Sequence, residues 1–273
     1  MHSFFTKKVV TCMCLNKPLK VTTNTMKILV CISHVPDTTS KINFTEDNAE
    51  FDTNGVQYII NPYDEFVLAK AMHLKEELGA SITVINVGTA ETESSLRKAM
   101  AIGADEAIRI NASPKDGFFV AQQIAEIART NTYDLIFAGR ESIDYNGGTV
   151  PGVLATLLDY NFINACVGLE IENTTATAQR EIDGGSETLQ ADFPLVIAGQ
   201  KGLTEEKDLR IPNMRGIMMA RKKTLAILEP IETGNKTGSK GFEKPQENAA
   251  CKMVGADDID GLIDLLHNEA KVI

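Results

Sequence analysis

DLIFAGRESIDYNGGTVPGVLATLL, residues 134–158, decides how this chain is read. Its apolar core LIFAG is short and suits a strand buried on both faces. A polar, Gly-containing loop follows, and Val150-Pro151 then opens an apolar run. Proline fits the first turn of a helix, where its missing N–H would have had no partner. A strand, a Gly-containing loop and a helix start, in that order, form the place where α/β proteins hold phosphate. Free N–H groups and the positive end of the helix dipole favour an anion there. Gly147 and Gly148 let the backbone approach a ligand, while Asp144 and Asn146 add polar groups suited to a nucleotide. A tight turn without any ligand is the plainer alternative. The phosphate-loop pattern G-x-x-x-x-G-K-[ST] is absent, and no G-x-G-x-x-G follows the first strand.

Working outward, apolar strands alternate with helices. KILVCIS (27–33), SITVINV (81–87), EAIRI (106–110) and YDLIFAG (133–139) read as strands. NPYDEFVLAKAMHLKEELG (61–79) reads as a punctuated helix: Asn61 as cap, Pro62 in the first turn, Gly79 at the end. ETESSLRKAMAIGA and residues 117–129 supply two more helices. Strands separated by helices imply a parallel sheet with right-handed crossovers. Ligands in such sheets sit beyond the carboxyl ends of strands, where strand order reverses. With the first strand central, that reversal lies between it and YDLIFAG. The segment 33–38 and the loop 139–149 then converge on one crevice.

Beyond residue 160 the pattern changes. FINACVGLEIE and a hairpin turning at Asp183-Gly184-Gly185 precede a buried strand, PLVIAG (194–199). A Gly/Lys/Asn/Thr linker follows, and DDIDGLIDLLHNEAKVI reads as an amphipathic helix carrying Ile259, Leu262, Ile263, Leu265 and Leu266. Docking on another surface and packing back on its own domain both fit that helix. Arg210, Arg215, Arg221, Lys222 and Lys223 surround Met214, Ile217, Met218 and Met219. Flexible Met side chains rimmed by cations suit an adaptable interaction surface, and a helix with its Met in the core is the equal alternative.

Composition narrows the function. A formal charge of −10 argues against broad phosphate neutralisation on nucleic acid. No run approaches the roughly 20 apolar residues of a membrane span. The five Cys, Cys12, Cys14, Cys31, Cys166 and Cys251, read as reduced thiols of a cytoplasmic protein. Of the four His only His34 lies near the crevice, and it reads as an ordinary loop residue. No triad or metal spacing accompanies it, so a self-sufficient enzyme is poorly supported. Residues 1–25 hold four Lys and no acid, and are expected to be an unstructured or mis-started extension.

Several segments together resemble the beta subunit of electron-transfer flavoprotein: REIDGGSETLQADFPLVIAG (180–199), KILVCISHVPDT (27–38), INPYDEFVLAKAMHLKE (60–76), LRKAMAIGADEAIRI (96–110), GRESID (139–144) and IMMARKKTL (217–225). The likeness runs from Met26 to Pro230 and extends to the C-terminal helix. It implies a Rossmann-like domain of the adenine nucleotide alpha hydrolase type over 26–230, with extra strands. It further implies that 231–273 is a linker and helix docking on an alpha subunit that holds most of an FAD site. This chain would hold AMP, or a second FAD in bifurcating relatives that take electrons from NADH. A nucleotide sensor without redox role is the alternative from another class.

Carried over by position, the nucleotide would meet Cys31, Asn61, Pro62, Tyr63, Asp64 and Val87. It would also meet the loop of Gly139, Arg140, Glu141, Ser142, Ile143, Asp144, Tyr145, Asn146, Gly147, Gly148, Thr149 and Val150. Met214, with Ile217 and Met218, would anchor partner dehydrogenases, and Glu187 would approach the mobile flavin domain. Electrons would run from acyl-CoA dehydrogenases to a quinone-linked oxidoreductase. Thr149-Val150 stands where AMP-type members carry Gln-Thr, and D-Y-N-G-G-T-V-P replaces the bifurcating D-G-D-T-x-Q-x-G-P. AMP is the favoured ligand.

Overall fold

The computed structural model describes residues 10–11, 25–246 and 251–273. In chain order the first elements are β1 (Val10–Thr11), β2 (Lys27–Cys31), β3 (His34–Pro36), β4 (Tyr58–Ile60) and α1 (Pro62–Leu78). Then come β5 (Ser81–Val87), α2 (Glu93–Ile102), β6 (Glu106–Ile110), α3 (Gly117–Asn131), β7 (Leu135–Gly139) and α4 (Val150–Leu158). β8 (Asn161–Glu172), β9 (Thr175–Ile182), β10 (Gly185–Asp192) and β11 (Leu195–Gly199) follow. The last are α5 (Met214–Ala220), β12 (Leu225–Leu228) and α6 (Ile259–Asp264).

The large sheet has the order β1-β10-β9-β8-β11-β7-β2-β5-β6-β12. From β8 to β12 every neighbouring pair is parallel. Strands β5 and β6 step away from β2 on one side, and β7 returns to its other side. The reversal therefore falls between β2 and β7, as the alternation of strands and helices predicts. The sheet is not wholly parallel, because β8, β9 and β10 form an antiparallel meander. Gly184 turns its second hairpin at φ +82°, where a β-carbon would be strained.

The period-two alternation of β2 sorts the core into two layers. Ile28, Val30 and Ile32 pack with Val67, Leu68 and Met72 of α1 and Leu96 and Met100 of α2. Leu29 and Cys31 face Phe119 and Ile124 of α3 and Leu154 of α4. Each such side chain, fully buried, contributes about 1.5–3 kcal/mol. Helices thus cover both faces, which is why these strands are apolar throughout and not alternating.

Helix α1 ends as its sequence dictates: Gly79 adopts φ +69° and its N–H donates to the Lys75 carbonyl at 3.0 Å. Its start differs from expectation, since the Asn61 side chain makes no cap bond. The stretch before it, expected as a plain loop, holds the antiparallel ribbon β3–β4, with His34 opposite Ile60 and Pro36 opposite Tyr58. Strands of three residues carry too little pattern to be read from sequence.

The chain divides into two compact units, residues up to 43 with 52–239, and 44–51 with 240–273. The first includes a strap that lies within the expected linker. The Gln123 amide donates to the Ile231 carbonyl at 2.8 Å and accepts from the Ile231 N–H at 2.9 Å. Asp116 caps α3 through the Phe119 N–H at 2.7 Å, and its other oxygen accepts from Lys236 and Thr237 N–H at 2.6 and 2.8 Å. In the second unit Phe44 bridges to Phe51 and stacks on Phe242, with centroids 5.1 Å apart. The expected C-terminal helix is α6, continued by a π turn over Leu265–Glu269, with Ile259, Leu262 and Ile263 exposed. The expectation for residues 1–25 falls almost wholly outside the described residues. Within it, Val10–Thr11 pairs in parallel with Leu189 and Gln190.

Candidate functional site

The crevice at the strand reversal is built around one buried carboxylate. Asp64, in the first turn of α1, is 2% exposed. Its Oδ2 accepts the Ser33 N–H, just after β2, at 2.7 Å, and its Oδ1 accepts the Gly139 N–H, at the end of β7, at 2.8 Å. One side chain thus ties together the ends of the two strands that diverge there. The two amides favour the charged form, yet burial outweighs them and pushes the Asp64 pKa up to about 7. Gly139 is required by the same packing, since a β-carbon would lie 2.4 Å from Asp64 Oδ1 and 2.8 Å from Tyr63 Cβ.

Asn61 holds the loop from inside. Its Nδ2 donates to the Glu141 carbonyl at 2.9 Å, and its Oδ1 accepts the Ile143 N–H at 3.3 Å. The loop then closes on itself: Ser142 N–H donates to the Gly147 carbonyl at 3.1 Å, and Asp144 Oδ1 accepts from Ser142 Oγ at 2.5 Å and Tyr145 N–H at 2.8 Å. Asn146, not a glycine, takes the left-handed conformation at φ +50°. Asn tolerates that region and makes the turn. Gly148 serves by close approach, a β-carbon there meeting the Arg140 carbonyl at 3.1 Å.

Asp144 is occupied by those bonds, and residues 144–149 present an exposed rim. The N–H groups of Gly148 and Thr149 stand there at the start of α4, and Thr149 makes no side-chain cap bond. That is the arrangement an anion needs. Cys31 and Val87 are almost fully buried at the carboxyl ends of β2 and β5, within the core layer under α3 and α4. Burial also raises the Cys31 thiol pKa far above its usual range, so it stays protonated. The exposed rim at the start of α4 therefore suits a nucleotide phosphate.

Of the positions carried over by resemblance, Cys31, Asn61, Tyr63, Asp64, Gly139 and the loop to Val150 share hydrogen bonds or close packing around the reversal. The side chains of Asn61 and Asp64 are directed inward, holding the loop. Pro62 brings no N–H. His34 stacks on Tyr58 at 4.6 Å and its Nδ1 lies 2.9 Å from Ser95 Oγ; burial lowers its pKa. It stands as a packing residue of β3.

Sequence reasoning missed a polar chain beside the loop. Arg140 donates to Gln200 Oε1 at 2.8 Å, and Gln200, only 4% exposed, donates through its amide to Glu181 of β9. These three, with Tyr63 and Thr204, line an open cavity of about 840 Å³. No local pattern announces them, because they meet only through the sheet order. Glu187 lies on β10 and pairs with Arg180 across the hairpin.

The cation-rich segment resolves into two kinds of residue. Met214 and Met218 of α5 are 75% and 64% exposed, and Ile217 and Met219 are also exposed. Arg215, Arg221 and Lys222 are exposed with them. Arg210 and Lys223 turn inward: Arg210 grips Glu76 of α1 through two bonds of 2.7 Å. The reading that placed all these Met in the core does not hold.

An electron transfer flavoprotein domain model matches residues 49–233. The chain is 35% identical to the electron transfer flavoprotein subunit beta of Bacillus subtilis (strain 168) over 263 residues, 91% of this chain and 100% of that one. It is 32% identical to the subunit of the same name from Syntrophomonas wolfei, covering 82% of this chain and 88% of that one. The human subunit of that name is 29% identical, covering 86% and 95%. With a Rossmann-like sheet and a crevice at its reversal, this chain belongs to the electron transfer flavoprotein beta-subunit family.

Proposed function

We propose that this chain is the nucleotide-holding half of a two-chain electron carrier, with AMP in the crevice and FAD held mainly by an alpha subunit. The observation that supports the AMP reading is the loop tied from within by Asn61 and Asp144, with exposed Gly148 and Thr149 immediately before α4. Gly147, Gly148, Thr149 and Val150 hold the phosphate, and Cys31 and Val87 floor the site. AMP stabilises the fold by mass action, because it binds the folded chain alone. FAD supplies the redox chemistry when bound. The chain's own residues position, shield and dock.

Electrons reach the carrier from acyl-CoA dehydrogenases and leave to a quinone-linked oxidoreductase. Exposed Met214, Ile217 and Met218 support α5 as the docking point, with Arg215, Arg221 and Lys222 as a polar rim. The exposed Ile259, Leu262 and Ile263 support the tail as the part that docks on the alpha subunit. Glu187 meets the flavin-bearing chain from β10. Among the described residues no helix is long and apolar enough to cross a membrane.

The test is to purify the two chains together, release the bound nucleotides by denaturation and identify them by mass spectrometry. One AMP and one FAD per complex are expected. Two FAD and no AMP would replace this reading with the bifurcating one. A chain that recruits no flavin-bearing partner would end it.

A further inference from the structure

The exposed apolar residues of α5 sit on a frame that the sequence does not reveal. Arg97, on α2, donates through Nη1 to the carbonyls of Ala220 and Lys223, at 2.7 and 3.1 Å. The first is the last carbonyl of α5, and the second lies just beyond it. Lys223, just past that end, sends its Nζ back to the carbonyls of Met100 and Ala104, at 3.0 and 2.6 Å, at the end of α2. Each helix therefore has its last carbonyls satisfied by a cation borrowed from the other segment. Between the two links the helices touch: a β-carbon on Gly216 would lie 2.4 Å from the Ala101 carbonyl oxygen. Asn213 caps the start of α5 through the Gly216 N–H at 2.7 Å, and the Arg210–Glu76 pair fixes the approach to it.

A seven-residue helix has no stability of its own in water. Without these links α5 would fray, and docking on it would have to order both backbone and Met side chains. We propose that Arg97 and Lys223 are positioning residues for electron transfer, a crossed clamp that pre-forms α5 so that Met214 and Met218 reach the partner dehydrogenase already in place. Neither residue touches the partner in this account. Preorganisation lowers the cost of ordering at the moment of association. It also explains why Met, the most adaptable apolar side chain, is carried on a rigid frame: the frame fixes where the anchor is, and the side chain adapts to what it meets. The inference rests on the reading of α5 as the docking point.

The experiment uses the purified two-chain flavoprotein as electron acceptor for an acyl-CoA dehydrogenase kept reduced by its thioester substrate. KM for the flavoprotein and kcat are measured for Arg97→Ala, Arg97→Lys, Gly216→Ala and Met214→Ala. Arg97→Ala is expected to raise KM about five- to tenfold, the scale of ordering one or two side chains at an interface. Its kcat and its reduction by dithionite should match the parent protein. Arg97→Lys, which keeps a donor for the α5 carbonyls, should recover part of the loss. Gly216→Ala, which forces α5 off α2, should behave like Arg97→Ala. If Arg97→Ala loses flavin, the Lys and Gly216 variants carry the comparison. A KM raised by Met214→Ala but unmoved by Arg97→Ala and Gly216→Ala overturns the clamp and leaves the docking reading standing. A KM unmoved in all four overturns both.

Discussion

The loop at 139–150 and the helix at 214–220 are each tied down by long-range polar bonds, but they face solvent with opposite chemistry. In the loop, Asn61 and Asp144 bind the backbone from within, and a polar rim at 144–149 is left exposed. At the helix, Arg97 and Lys223 bind main-chain carbonyls from within, and apolar side chains are left outward. The first surface is polar and held by bonds from within. The second is apolar, with Met214 and Met218 exposed on a fixed backbone. One chain thus presents two unlike surfaces, according to which groups its internal bonds consume.

Substitutions that break the loop's ties should have the largest effect on stability. Asp64→Ala leaves the Ser33 and Gly139 amides without an acceptor in a buried place, at a cost of roughly 2–4 kcal/mol. Urea denaturation should show it as a lower midpoint, with loss of bound nucleotide. The parent protein should also show a pH slope. The folded pKa of Asp64, about 7, lies above the roughly 3.9 of an unfolded Asp. The fold prefers the neutral form, so this contribution is complete below about pH 4 and is lost as pH rises toward 7. Asp64→Asn should flatten that slope; an unchanged slope would mean the amides, not burial, set the charge.

A smaller effect is expected from Gly139→Ala, whose methyl must displace Asp64 or Tyr63, costing about 1–3 kcal/mol and reducing nucleotide content. Co-purified nucleotide counted against protein checks it. Smallest of all, Met214→Ala should leave the unfolding midpoint within about 0.5 kcal/mol, because that side chain is 75% exposed. A larger loss of stability would show that Met214 belongs to the fold and would dissolve the contrast between the two regions.

What could be read from the chain alone was whatever repeats locally. SITVINV and EAIRI coincide with β5 and β6 residue for residue, because short runs rich in Ile and Val beside Gly88 and Asp105 leave little choice. The switch point followed from strand order. The unread parts all depend on partners distant in sequence. Asn61 looks like a helix cap, yet 80 residues away its amide finds Glu141. Arg97 looks like a solvated helix residue, and its acceptor lies 123 residues on. Asn146 takes the left-handed place beside the two glycines, where the bridge between Ser142 and Gly147 closes the turn.

The strap over α3 sets where the first unit can be cut. A chain ended at Pro230 would strand the Gln123 amide and one oxygen of Asp116, and would uncover the side of α3 that Ile231 occupies. One ended after Thr237 keeps every one of those bonds. The linker read from composition begins at residue 231, several residues before the last of these bonds at Thr237.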